Sequence, residues 1–199
     1  VLPYGEYSLV EVQAPYGYAL DKTPVAFSVS SENAEKENSL TIVKVEKQNT
    51  AQKGKISVRK TGDIFTSVTT ASSAYTNENG EMIVNPTTYT PVFADGDLSG
   101  TVFQVIAVED IVTLDGTVHA NAGDVVAEIT TDENGYAETD LLYLSKYEIK
   151  EVQAPYGYVR NSESQFVELT YAGQEIAVRD TVNASFVNDY QGVEISLSK

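Results

Sequence analysis

The chain has 199 residues, 42% hydrophobic and 21% charged, enough to bury one large core or two modest ones. A formal charge of −16 and a pI near 4.3 argue against nucleic acid and anionic membranes as partners. There is no cysteine, which excludes disulfides and thiolate metal sites, and no apolar run long enough to span a membrane.

Val1 begins in what reads as mid-domain, so we expect the chain to be part of something longer. In the opening segment Tyr7, Leu9 and Glu11 alternate onto one strand face. Glu11 starts EVQAPYGY (11–18), and the same eight letters return at 151–158, after Tyr147 and Ile149 on an equivalent face. Asn49 and Asn188 are similarly spaced, as are Lys60 and Lys199. NTAQKGKISVRK (49–60) and NDYQGVEISLSK (188–199) share a form: Asn, a polar turn, then alternate apolar positions leading to Lys. Self-similarity at this spacing predicts tandem units. Residues 1–49 are read as the C-terminal part of one domain, 53–190 as a complete second, and 192–199 as the first strand of a third. The joints are short and lack Pro- or Ser-rich linkers, so neighbours should be closely coupled.

Within 53–190 the elements run as short alternating strands between turns, which predicts an all-β sandwich. KISVRK (55–60) comes first. A Thr-, Ser-, Asn- and Gly-rich insertion follows at about 61–100, with a hairpin expected around Asn79-Gly80. TVFQVIAV (101–108), DVVAEITT (124–131) and KYEIKEV (146–152) form the middle. QFVELTY (165–171), EIAVRDT (175–181) and ASFVND (184–189) close the set.

Alternation leaves three polar residues on core faces: Lys60 after Ile56 and Val58, Glu151 after Tyr147 and Ile149, and Asn188 after Ala184 and Phe186. Each alone reads equally well as a strand end surfacing into water. Together, amine, carboxylate and amide have a chemistry. A neutral lysine amine can attack the asparagine side-chain amide, expel ammonia and leave an isopeptide bond. Burial lowers a lysine pKa and raises a glutamate pKa, so a protonated glutamate can polarise the amide and relay protons. The reaction needs proximity in a dry site and no cofactor.

These residues resemble the Cna B-type (prealbumin-like) domains of Gram-positive surface proteins and pilins. The resemblance is carried by YEIKEVQAPYGY (147–158), YSLVEVQAPYGY (7–18), the lysine of GKISVRKTGD (54–63) and the asparagine of FVND (186–189). It implies an inverse immunoglobulin-type β-sandwich, a Lys60–Asn188 bond promoted by Glu151, and an extracellular, cell-wall-anchored setting. Glu11, Asn49 and Lys199 are then partial sites of flanking units. Two departures stand out: the long insertion, and Lys47 where the second unit has Phe186. Pro155, Tyr156, Gly157 and Tyr158 break the strand after Glu151, and the tyrosines are expected to cover the site.

The remaining signals read as ordinary structure. LPYGE (2–6) lacks the threonine of a sorting signal and reads as a turn. Asp132–Gly135 reads as a hairpin turn rather than a calcium loop, and the sequon at Asn183 carries little meaning on a bacterial surface. His119 reads as a loop residue, so a Ser-His-Asp hydrolase has no support and a turnover enzyme is not expected. Two functions compete: a structural stalk whose partners are neighbouring repeats, and an adhesin domain binding a host extracellular protein through the 61–100 insertion.

Overall fold

The computed structural model describes residues 2–30, 35–37 and 40–193, and these contain strands and turns but no helix. Most of the alternating segments become strands within a residue or two of their expected ends. Val102–Ala107, Val125–Thr130, Lys146–Gln153 and Gln165–Glu168 form one antiparallel sheet, ordered Val125–Thr130, Val102–Ala107, Lys146–Gln153, Gln165–Glu168. The facing sheet is built on the long strand Ile56–Ala71. Thr88–Asp97 and Tyr136–Glu138 pair antiparallel with its two halves, and Val182–Asn188 runs parallel along its other edge.

The core lies between the two sheets. Ile56, Val58, Ala184 and Phe186 face Phe103, Val105, Ala107, Tyr147 and Ile149, and all nine are buried. The period of two that the sequence displays is therefore the pleat itself, each strand sending alternate side chains into one shared layer.

Three segments differ from expectation. The 61–100 insertion holds more strand than the one hairpin expected of it: Ile56–Ala71 runs on through it and pairs with Thr88–Asp97 as a long ribbon, tipped by the hairpin of Ala74–Thr76 and Met82–Val84. The turn expected at Asn79-Gly80 is present, with Gly80 N donating to Asn77 O (3.0 Å). EIAVRDT (175–181) forms no strand. Ile176 and Val178 are exposed, and only an isolated bridge joins Val178 to Lys53, so its apolar alternation has no sheet face to fill. His119 lies in the short strand Val118–Ala120, stacked on Tyr143 at 3.9 Å between ring centroids.

In the first segment Gly5–Leu9 pairs with Val25–Val29, matching Tyr7 with Phe27. The corresponding pairing ahead of the second EVQAPYGY matches Tyr147 with Val167. Both tyrosines also donate their hydroxyls to a backbone carbonyl four residues back, Tyr7 to Pro3 and Tyr147 to Tyr143, each at 2.7 Å.

Candidate functional site: a buried lysine, asparagine and glutamate

Lys60, Glu151 and Asn188 meet in the core. Lys60 and Glu151 are 0% exposed and Asn188 2%. Lys60 and Asn188 come from neighbouring parallel strands: Phe186 is registered with Lys60 and Asn188 with Gly62, so the two polar side chains rise from one face two residues apart. Glu151 descends from the opposite sheet, paired with Phe103, beside a register shift that separates it from Gln153.

Lys60 Nζ donates to Glu151 Oε2 (2.9 Å) and to Asn188 Oδ1 (2.5 Å), and Asn188 Nδ2 donates to Glu151 Oε1 (2.6 Å). The carboxylate thus holds the amine with one oxygen and the amide nitrogen with the other. The amide carbon is one bond from the oxygen that Nζ touches. Phe186 packs 5.8 Å from Nζ and meets Phe103 at 4.8 Å between centroids. Burial pushes the Lys60 ammonium below its usual range, opposed by its hydrogen bond to and attraction from Glu151. A lysine so placed releases its proton more readily than one in water, and a neutral amine can act as a nucleophile.

The backbone around Lys60 is clamped by residues that sequence patterning did not single out. Lys60 N donates to Gly135 O (2.7 Å), and Leu98 N donates to Lys60 O (3.0 Å). Gly135 has φ +65, and a Cβ there would strike the Lys60 carbonyl oxygen. A Cβ at Gly62 would strike the Asn188 carbonyl oxygen and lie 2.7 Å from Leu98. The Asp132–Gly135 segment is indeed a turn, closed by Gly135 N donating to Asp132 O (3.0 Å). Its glycine could have been noticed as a special backbone position, but nothing local tied it to Lys60.

The expected cover is corrected in part. Tyr156 is 104% exposed and points into water, away from the site. Pro155, Gly157 and Tyr158 are half-buried, and the Tyr158 hydroxyl donates to Asp63 O (2.8 Å). Water is kept out by Phe103, Phe186 and Leu98, all 4% exposed or less.

In the first segment Asn49 Nδ2 donates to Glu11 Oε1 (2.7 Å) and Oε2 (2.9 Å), the same kind of carboxylate–amide contact as between Asn188 and Glu151. Lys47 is turned elsewhere, to Asp21 (3.2 Å) and the Thr23 carbonyl. Lys199 lies outside the described residues.

A family profile described as the SpaA prealbumin-like fold domain matches residues 1–44 and 93–182. The chain belongs to this family. The prealbumin-like match takes in Glu11 and Glu151 and leaves out Lys60 and Asn188. Among solved structures, the Bacillus anthracis TIE protein is 24% identical with a TM-score of 0.53, over 95% of this chain and 26% of that one. The minor pilin GBS52 of Streptococcus agalactiae is 15% identical at a TM-score of 0.41, over 95% and 66%. The major pilin SpaD of Corynebacterium diphtheriae is 19% identical at 0.40, over 70% and 30%. The chain thus spans about a quarter of the TIE protein and two thirds of GBS52. No curated protein matches it.

Proposed function

We propose that residues 53–190 are a structural stalk or shaft unit of a Gram-positive surface adhesin or pilus, locked by an isopeptide bond between Lys60 and Asn188. One observation carries the reading: a lysine amine, an asparagine amide and a bridging glutamate, all buried and all within hydrogen-bond distance. Glu151 takes a proton from Lys60, the neutral Nζ attacks the Asn188 amide carbon, and Glu151 passes that proton to Nδ2 as its C–N bond breaks. A new C–N bond forms, one ammonia leaves, and the second proton shed by Nζ goes to Glu151. The event happens once per chain, so the protein is its own substrate and no turnover enzyme. No cofactor enters.

The family resemblance and the repeated EVQAPYGY support the setting: an extracellular, wall-anchored tandem array whose partners are neighbouring repeats. Asn49, held by Glu11, takes a lysine from another first strand, and Lys199 takes an asparagine from another last strand. A second reading, binding of a host protein, is favoured by the ribbon at 61–97, where Tyr75, Met82 and Tyr89 are exposed.

Intact mass tests the bond. The 199-residue chain should weigh about 17 Da less than its sequence for the one complete site, the mass of an ammonia. A digest should also retain a branched fragment joining the peptides of Lys60 and Asn188. Glu151→Ala should restore the full mass. An unmodified mass in well-folded parent protein overturns the proposal.

A further inference from the structure

EVQAPYGY carries more than its glutamate. In the first copy the Ala14–Tyr18 turn is packed on the complete unit. Ala14 N donates to Gln174 Oε1 (3.0 Å), Tyr16 meets Tyr171 at 4.6 Å between centroids, and Leu114 N donates to the Tyr18 hydroxyl (3.0 Å). Gln52 ties the two together. It is 1% exposed, and its N donates to Gly17 O (2.7 Å). Its side chain donates to Gly173 O (3.0 Å) and Ile176 O (2.5 Å) and accepts from Ala172 N (2.7 Å). A buried amide with its hydrogen-bonding capacity used this fully fixes an orientation.

The second copy repeats the turn side of this joint. Gln191 N donates to Gly157 O (2.8 Å), Tyr158 N to Pro155 O (3.2 Å) as Tyr18 N does to Pro15 O (3.1 Å), and Gly17 and Gly157 share φ +86. Only the cover differs. Ala14 is 7% exposed while Ala154 is half-buried, and Gln191 is exposed where Gln52 is buried. The Tyr158 hydroxyl donates to Asp63 O, so its oxygen can still accept a bond of the kind Leu114 N gives Tyr18.

We propose that the Ala154–Tyr158 turn with Gln191 is a docking surface for a second copy of the edge presented by Leu114, Tyr171 and Gln174. This deepens the stalk reading and rests on its tandem arrangement, but it uses none of the lysine chemistry. The occupant is specified by the first joint, where the same turn is already seated on that edge.

The test uses a tandem chain in which residues 1–191 run directly into a second copy of 53–193, preserving the spacing of the first joint. The absence of native cysteine makes a placed pair clean. Tyr156→Cys in the first copy and Tyr171→Cys in the second are treated with a short bis-maleimide, and Tyr16→Cys with Tyr171→Cys in the 199-residue chain serves as reference. Both pairs should link at similar rates, and Gln191→Ala should slow the new pair about tenfold, as loss of buried hydrogen bonds implies. The proposal is overturned if the new pair links no faster than a cysteine pair placed away from the joint, or if Gln191→Ala leaves its rate unchanged. Intact mass read on the same samples reports the isopeptide separately from the docking. Linking without ammonia loss sinks the covalent reading alone, and ammonia loss without linking sinks the docking surface alone.

Discussion

At the scale of single residues, the proposed chemistry turns on one buried amine. Lys60 lies beside the Phe186 ring, and burial lowers its pKa while Glu151 opposes the shift. Glu151→Ala should leave the amine unreacted and removes the opposing influence. Folded Lys60 then loses its proton at lower pH than the unfolded chain, whose lysines titrate near 10.5. Between those values the unfolded state binds more protons, so stability rises with pH through the window below 10.5 and levels off above it. Denaturant midpoints of Glu151→Ala should therefore climb as pH rises toward 10.5, relative to a Glu151→Ala, Lys60→Met double variant. Equal pH profiles would show that Lys60 is not depressed. A second residue-scale expectation concerns Gly135. Gly135→Ala places a Cβ against the Lys60 carbonyl and a left-handed backbone on alanine, costing about 1–3 kcal/mol. It should lower the melting temperature and slow ammonia loss together. Normal kinetics in a destabilised variant would separate the clamp from the chemistry.

At the scale of elements, legibility followed burial. Strands with one face in the core, such as Val102–Ala107 and Lys146–Gln153, alternate strictly, and that same alternation exposed Lys60, Glu151 and Asn188 as anomalies. The ribbon beyond Gly62 was less legible because neither of its faces meets a core. From Thr66 to Ala71 every residue is exposed, so no period of two is selected and the Thr- and Ser-rich run carries no strand signal. EIAVRDT failed the opposite way: its alternation is real, but Ile176 and Val178 face solvent. The joint was hidden too, because Gln52 looks like any polar turn residue until its partners at 172–176 are in place. The ribbon yields a prediction of its own. Its base carries Gly62 and leads into Leu98 beside the site, while its tip is exposed. Joining Ala71 to its ladder partner Thr88 through Asn-Gly should leave the ammonia loss intact and stability within about 0.5 kcal/mol. If the trimmed chain kept its full sequence mass, the ribbon tip would have to belong to the reactive unit.

At the scale of the whole molecule, the proposed bond determines how the unit carries tension. Ile56–Ala71 and Val182–Asn188 run parallel, so pulling on the two ends of the unit draws these strands past each other and loads their ladder in shear. A bond from Lys60 to Asn188 bypasses that ladder and closes a loop across 128 positions. By analogy with a disulfide closing so long a loop, it should stabilise the fold by about 5 kcal/mol, and unlike a disulfide it cannot be reduced. Without the bond, the residues between Lys60 and Asn188 extend at about 3.3 Å each, releasing roughly 400 Å when the unit opens. Single-molecule pulling should therefore show that step in Asn188→Ala and none in the parent, and the parent should resist protease at temperatures where the variant is cut. Both chains keep the same strands and core, so the comparison isolates the cross-link from the shear strength of the ladder. A parent that lengthens by the same step as Asn188→Ala would mean that force passes through the sheet, and that Lys60, Glu151 and Asn188 form a buried polar network without a bond.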